Sequence, residues 1–238
     1  MLNRIRRLGG RSPFGTTEPE TSTDPEASPF DRRDWPALHP EHVPAARLFA
    51  DRKSMIASLG AGRCRTVVEV GVGFGDFSAF ILENLAPTKF VAIDLWEWHH
   101  VETVWGRPTK SIFGDLSHIE YYRKRFAPYG DTVAVEEGVS WDVLGRYPDE
   151  YFDLIYVDAG HDYESVKRDA EQSVRKVKAD GLLIFNDYTL FDNFNHGPYG
   201  IVQAVNELVV HSDWKVVGFS LEPNMFCDIA LSRQPAAS

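Results

Sequence analysis

Residues Thr66–Asp76 read Thr-Val-Val-Glu-Val-Gly-Val-Gly-Phe-Gly-Asp, an apolar run that breaks into glycines at 71, 73 and 75 before a helical pattern begins. Such a run predicts a buried strand, and glycine just beyond it lets bare backbone turn sharply and approach a ligand closely. A second apolar run, Lys89–Asp94, ends in a carboxylate roughly 20 residues beyond the glycine turn, the distance at which folds of this kind hold ribose hydroxyls. Asp94, with Leu95 beside it, is therefore a candidate nucleotide contact.

The same punctuation continues down the chain. Strands are predicted near 66–71, 90–94, 132–136, 152–157, 181–185, 214–219 and 225–231, with helices near 76–86, 115–127, 162–178 and 199–210. This alternation predicts an α/β fold: a mostly parallel seven-stranded sheet with helices on both faces and ligands at the carboxyl ends of the strands. No helix separates the last two strands, and Glu222-Pro223-Asn224 reads as a turn, so the final strand is expected to be antiparallel. Upstream, the spacing of Ala46, Phe49, Met55, Ile56 and Leu59 predicts a helix from about Pro44 to Leu59.

The glycine spacing separates two ligand classes. A dinucleotide fingerprint, G-x-G-x-x-G, requires glycine at 76, where this chain has Asp76. The pattern Glu69-x-Gly71-x-Gly73-x-Gly75 instead resembles the first motif of class I S-adenosylmethionine (SAM) dependent methyltransferases. The resemblance implies a Rossmann-like fold and SAM as cofactor, with Glu69 near the methionine end and the glycines admitting the sulfonium-bearing chain. A nicotinamide-dependent oxidoreductase and a non-catalytic SAM-binding protein stand as the alternatives.

Composition narrows the partners. The chain has 238 residues, of which 43% are hydrophobic, enough for one α/β domain with its own core. With 25 basic and 35 acidic residues the net charge is -10, which argues against a general affinity for nucleic acid. Cys64 and Cys227 lack metal-ligand spacing and read as reduced thiols. There is no long apolar stretch and no signal peptide, so a cytoplasmic protein without a membrane span is expected. Residues 1 to 34 are rich in Pro, Gly, Ser, Thr and charge. They read as a flexible arm, so the domain division is 1–35 and 36–238. A homo-oligomer is left open.

The chemistry is expected from two further runs. Tyr151–Val157 delivers Asp158 at its end with His161 in the following loop, and Gly181–Phe185 delivers Asn186 and Asp187. Adjacent parallel strands lie about 4.8 Å apart, so both carboxylates can reach one cation, and Asp158, Asn186 and Asp187 suit a hard ion such as Mg²⁺. Methyl transfer to oxygen needs a hydroxyl that loses its proton, and a histidine titrating near neutrality can take it.

Val157-Asp-Ala-Gly-His-Asp-Tyr163 and Phe185-Asn-Asp-Tyr188 are similar to the macrocin O-methyltransferase and cephalosporin-hydroxylase-like branch of the class I family. That resemblance, covering residues 44 to 231, implies metal ligation by Asp158, Asn186 and Asp187 and makes His161 the general base. It departs in having Asn186 where several relatives place an acid. Asp162 also reads as a helix N-cap. The segment Glu137-Gly-Val-Ser140-Trp141 resembles the glycine-x-serine segment near adenine in catechol-type enzymes, which makes Ser140 a candidate adenine contact. Residues 95–114, with Trp96, Trp98, His99, His100 and Trp105, are expected to line the mouth of the site. The loop 191–200 is expected either to close over the acceptor or to lead into the next helix; the acceptor expected is a small-molecule hydroxyl, on a sugar or polyketide-like metabolite.

Overall fold

The computed structural model describes residues 35–233; the predicted arm up to residue 34 lies outside them. The chain begins with β1 (Arg47–Phe49), α1 (Arg52–Gly60), β2 (Thr66–Val70), α2 (Asp76–Leu85) and β3 (Lys89–Asp94). A small hairpin, β4 (Thr103–Val104) with β5 (Arg107–Pro108), leads into α3 (Thr109–Phe113), α4 (His118–Phe126), β6 (Val133–Glu137) and α5 (Ser140–Gly145). The second half runs β7 (Phe152–Val157), α6 (Tyr163–Lys176), β8 (Val177–Phe185), the hairpin β9 (Phe191–Asp192) with β10 (Gly197–Pro198), α7 (Ile201–Val210), β11 (Lys215–Ser220) and β12 (Ile229–Ser232).

Eight strands form one sheet in the order β1-β11-β12-β8-β7-β2-β3-β6. All pairings are parallel except those of β12, which runs antiparallel to both β11 and β8. Side-chain alternation divides the core between the two faces. Val68, Val70, Ile155 and Val157 pack with α6 and α7 residues such as Val166, Ala204 and Leu208. Val67, Leu154 and Tyr156 pack with Met55, Ile56, Phe77, Ile81 and Tyr122 from α1, α2 and α4.

The mostly parallel sheet, the helices on both faces and the antiparallel last strand are as expected, with three differences in detail. The predicted helix from Pro44 starts at Arg52, because Asp51 caps it by accepting a hydrogen bond from Ser54 N. Residues 47–49 before it add an eighth strand against β11, in which Phe49 is buried and Leu48 faces outward. The helix predicted from 115 begins at His118, because Ser117 and Glu120 form a capping box there. Among the described residues no helix is long and apolar enough to cross a membrane.

Candidate active site

The chain steps from β2 to β3 and β6 on one side and to β7 and β8 on the other. The carboxyl ends of β2 and β7 therefore flank the crevice at which such sheets bind ligands. A cavity of about 1420 Å³ opens there, lined by Glu69, Gly71, Gly73, Asp94, Leu95, Ser140, Asp158, His161, Asn186 and Asp187. Gly75, the third glycine of the turn, packs instead against Phe126 and Tyr122 of α4.

The glycine turn is held by side chains from three directions. Asp94 Oδ2 accepts from Val72 N at 2.9 Å, while its Oδ1 accepts from Trp96 N. His118 Nε2 lies 2.6 Å from Gly73 O, a contact that requires a proton on that nitrogen, and Arg125 Nη1 donates to Phe74 O. Glu69 is buried and accepts from Ser78 Oγ; burial pushes its carboxyl well above the usual range, although the Ser78 bond pulls it down.

Trp96 is core and not rim: it is 2% exposed and donates from Nε1 to Glu136 O. Trp98 and Trp105 do line the cavity, edge-on to each other and to Phe74, above Gly73. The His99 and His100 rings lie against each other at a tilt, with centroids 3.8 Å apart and planes 39° apart. Ser140 is the first residue of α5, whose N-cap is Val139, so its burial beside the cavity is not explained by capping.

On the other side, β7 and β8 deliver Asp158 and Asp187 to one imidazole. His161 Nε2 lies 3.7 Å from Asp158 Oδ1 and 3.3 Å from Asp187 Oδ2. Asp187 holds φ 54°, a left-handed conformation that Asp tolerates better than most residues and that concentrates at functional sites. Tyr199 stacks flush on the His161 ring, with centroids 4.6 Å apart and planes 14° apart, and its hydroxyl donates to Asp192. Burial alone would lower the pKa of His161, but Asp158 and Asp187 outweigh it and raise the imidazole to about 9. Burial also raises Asp158, and Asp187 adds to the rise; His161 and Arg52 oppose it.

Asn186 is held through its amide nitrogen. Its Nδ2 donates to Asp228 Oδ1 at 2.9 Å in a buried network that also contains Tyr156, whose hydroxyl donates to Asp228 Oδ2 at 2.7 Å. Burial pushes Asp228 up to about 8, against the pull of Arg52 and Tyr156. Among the described residues no group of three or more His, Cys, Asp or Glu is placed to hold a metal ion.

Residues missed in the sequence are Arg52, His118, Tyr199 and Asp228. Each meets its partner in the site, such as His161 for Tyr199 and Tyr156 for Arg52 and Asp228, across a long stretch of chain that no spacing signals. Asp162 does cap α6, accepting from Ser165 N.

A family model described as a methyltransferase domain matches residues 68–188, from β2 through the end of β8. The chain belongs to the class I SAM-dependent methyltransferases. Similar solved structures include an O-methyltransferase from Bacillus cereus in complex with S-adenosylhomocysteine (SAH), at 15% identity and TM-score 0.52. That match covers 76% of this chain and 78% of the other. A Corynebacterium glutamicum protein is 13% identical with TM-score 0.54, covering 79% and 83% of the two chains. A ribosomal protein L11 methylase from Lactobacillus delbrueckii subsp. bulgaricus is 17% identical with TM-score 0.50, covering 77% and 79%. These identities carry the likeness of fold alone. No curated protein matches the chain. The methyltransferase family match includes Glu69, the glycine turn, Asp94, Ser140, His161 and Asp187.

Proposed function

We propose that this methyltransferase binds SAM along the ends of β6, β3, β2 and β7 and transfers its methyl group to a hydroxyl of a small molecule, with His161 as base. The observation that carries the reading is the Asp158–His161–Asp187 cluster beside the glycine turn in one cavity. Asp94 takes the ribose hydroxyls, Leu95 and Ser140 the adenine side, and Glu69 and the glycine turn the methionine side. The Asp94 carboxylate keeps lone pairs beyond those used by Val72 N and Trp96 N. Replacing Asp94 by Ala is expected to weaken SAH binding about tenfold or more in calorimetric titration, while turnover at saturating SAM changes far less. The reverse pattern would remove Asp94 from the cofactor site.

His161 Nε2 is buried between the carboxylates, whereas the ring keeps 26% of its side-chain surface exposed. An Nε2 proton directed at Asp187 leaves Nδ1 as the basic atom, and the two carboxylates stabilise the imidazolium as the acceptor proton arrives. With a pKa of about 9, roughly one ring in a hundred is neutral at pH 7. The base is the deprotonated form, so kcat/KM is expected to rise with pH toward about 9. The limb for kcat should lie lower, because the bound sulfonium cation disfavours the imidazolium. A profile flat from pH 6 to 9 would exclude this role.

The place implied for Mg²⁺ between Asp158 and Asp187 is taken by His161 Nε2, while Asn186 donates to Asp228 through Nδ2 and keeps the lone pairs of its Oδ1. Turnover is expected to survive chelation. Loss of activity with EDTA, restored by Mg²⁺, would place a cation where Nε2 now lies. The aromatic wall of Trp98, Trp105, Phe194 and Phe226 suits an acceptor with a ring face, such as a sugar or polyketide-like metabolite.

A further inference from the structure

The cavity is acidic almost throughout: eight Asp and Glu residues line it, and among its described lining residues Arg52 is the one arginine or lysine. Arg52 is the first residue of α1 and sits with its guanidinium carbon 4.6 Å from the centroid of the Phe77 ring on α2. Its Nη1 donates to Tyr156 Oη at 3.1 Å and stands 3.8 Å from Asp158 Oδ2, a loose ion pair. Among the described residues both polar contacts of the guanidinium are made through Nη1. The side chain keeps 34% of its surface exposed.

SAM carries its own carboxylate, and an anion entering an acid-lined cavity is repelled unless a cation meets it. Resting on the cofactor reading above, ribose at Asp94 and adenine at Ser140 direct the amino-acid end the opposite way, toward the ends of β2 and β7. Arg52 stands there beside Asp158. We infer that Arg52 anchors the carboxylate of the methionine moiety, while Glu69 and Asp158 face its ammonium group. A guanidinium suits this task because its planar fork can hold a carboxylate through two donors, with Nε and Nη2 available beside the Tyr156 bond. Phe77 and Tyr156 fix the fork in advance, so little ordering is lost on binding. The arrangement makes Arg52 a filter for cofactors that retain the carboxylate.

The test compares SAH with its decarboxylated analogue, which differs only in lacking that group, by titration calorimetry on the full chain and on Arg52→Met and Arg52→Lys. Wild type is expected to prefer SAH by about tenfold to a hundredfold, Arg52→Met to bind both alike, and Arg52→Lys to fall between. Because the readout is a ratio within each variant, a general distortion of the cavity cancels. A preference that survives in Arg52→Met, or is missing in wild type, overturns the assignment. Binding of neither ligand by wild type would instead overturn the cofactor reading itself.

Discussion

Replacing His161 by Ala is expected to lower turnover by about 10²–10⁴-fold while leaving SAH affinity within a few-fold of wild type. The asymmetry follows from where the ring sits. His161 belongs to the loop after β7 and faces Asp158, Asp187 and Tyr199. The candidate ribose and adenine contacts, Asp94 and Ser140, lie on the far side of the glycine turn. Removal of the imidazole also leaves the two carboxylates facing each other without the cation that separates them, so the pH dependence described above should vanish with the activity. His161→Gln keeps volume and a hydrogen-bonding group but cannot accept the proton, and should be as slow as the alanine variant. Full activity in His161→Gln would sink the base assignment.

Gly71→Ala is expected to be the most destabilising single-methyl change in the sheet, on the order of 3–5 kcal/mol, read from the denaturant midpoint. Two costs combine. Gly71 has φ +81°, which penalises any residue bearing a Cβ by about 1–2 kcal/mol. The added Cβ would also lie 1.9 Å from the backbone oxygen of Asp158, so the ends of β2 and β7 would have to part. That separation would pull Asp158 from His161, and cofactor binding and turnover should fail together. Gly73 offers a control. It too has positive φ, but its Cβ would meet the ring of Trp98, on a loop that can shift, so Gly73→Ala should cost clearly less. Equal costs at the two positions would show that the strand contact is not the cause.

Much of this arrangement was legible in the chain because burial on both faces of a parallel sheet forces continuous apolar runs. Val67–Val70, Phe90–Ile93, Leu154–Val157 and Leu182–Phe185 all stand out, and a glycine or carboxylate that the cavity uses follows within two residues of each end. Local capping rules also work at Asp162 and would have placed the starts of α1 and α4 at Asp51 and Ser117. Apolar spacing alone did not separate β1 from α1, because a three-residue edge strand has too short a period to register.

What sequence spacing does not carry is the direction of a polar side chain at a strand end. Asn186 and Asp187 are adjacent in the chain, yet one donates to Asp228 of β12's approach and the other faces His161. Arg52 lies 104 residues from the Tyr156 hydroxyl it meets and His118 lies 45 from Gly73 O, distances that only the folded sheet closes. The order of apolar strands and glycine turns, set by local burial and backbone sterics, determined the fold and the location of the crevice. Which charged groups meet inside it was decided by long-range packing, because a charge taken out of water settles on whichever partner the assembled sheet brings within reach.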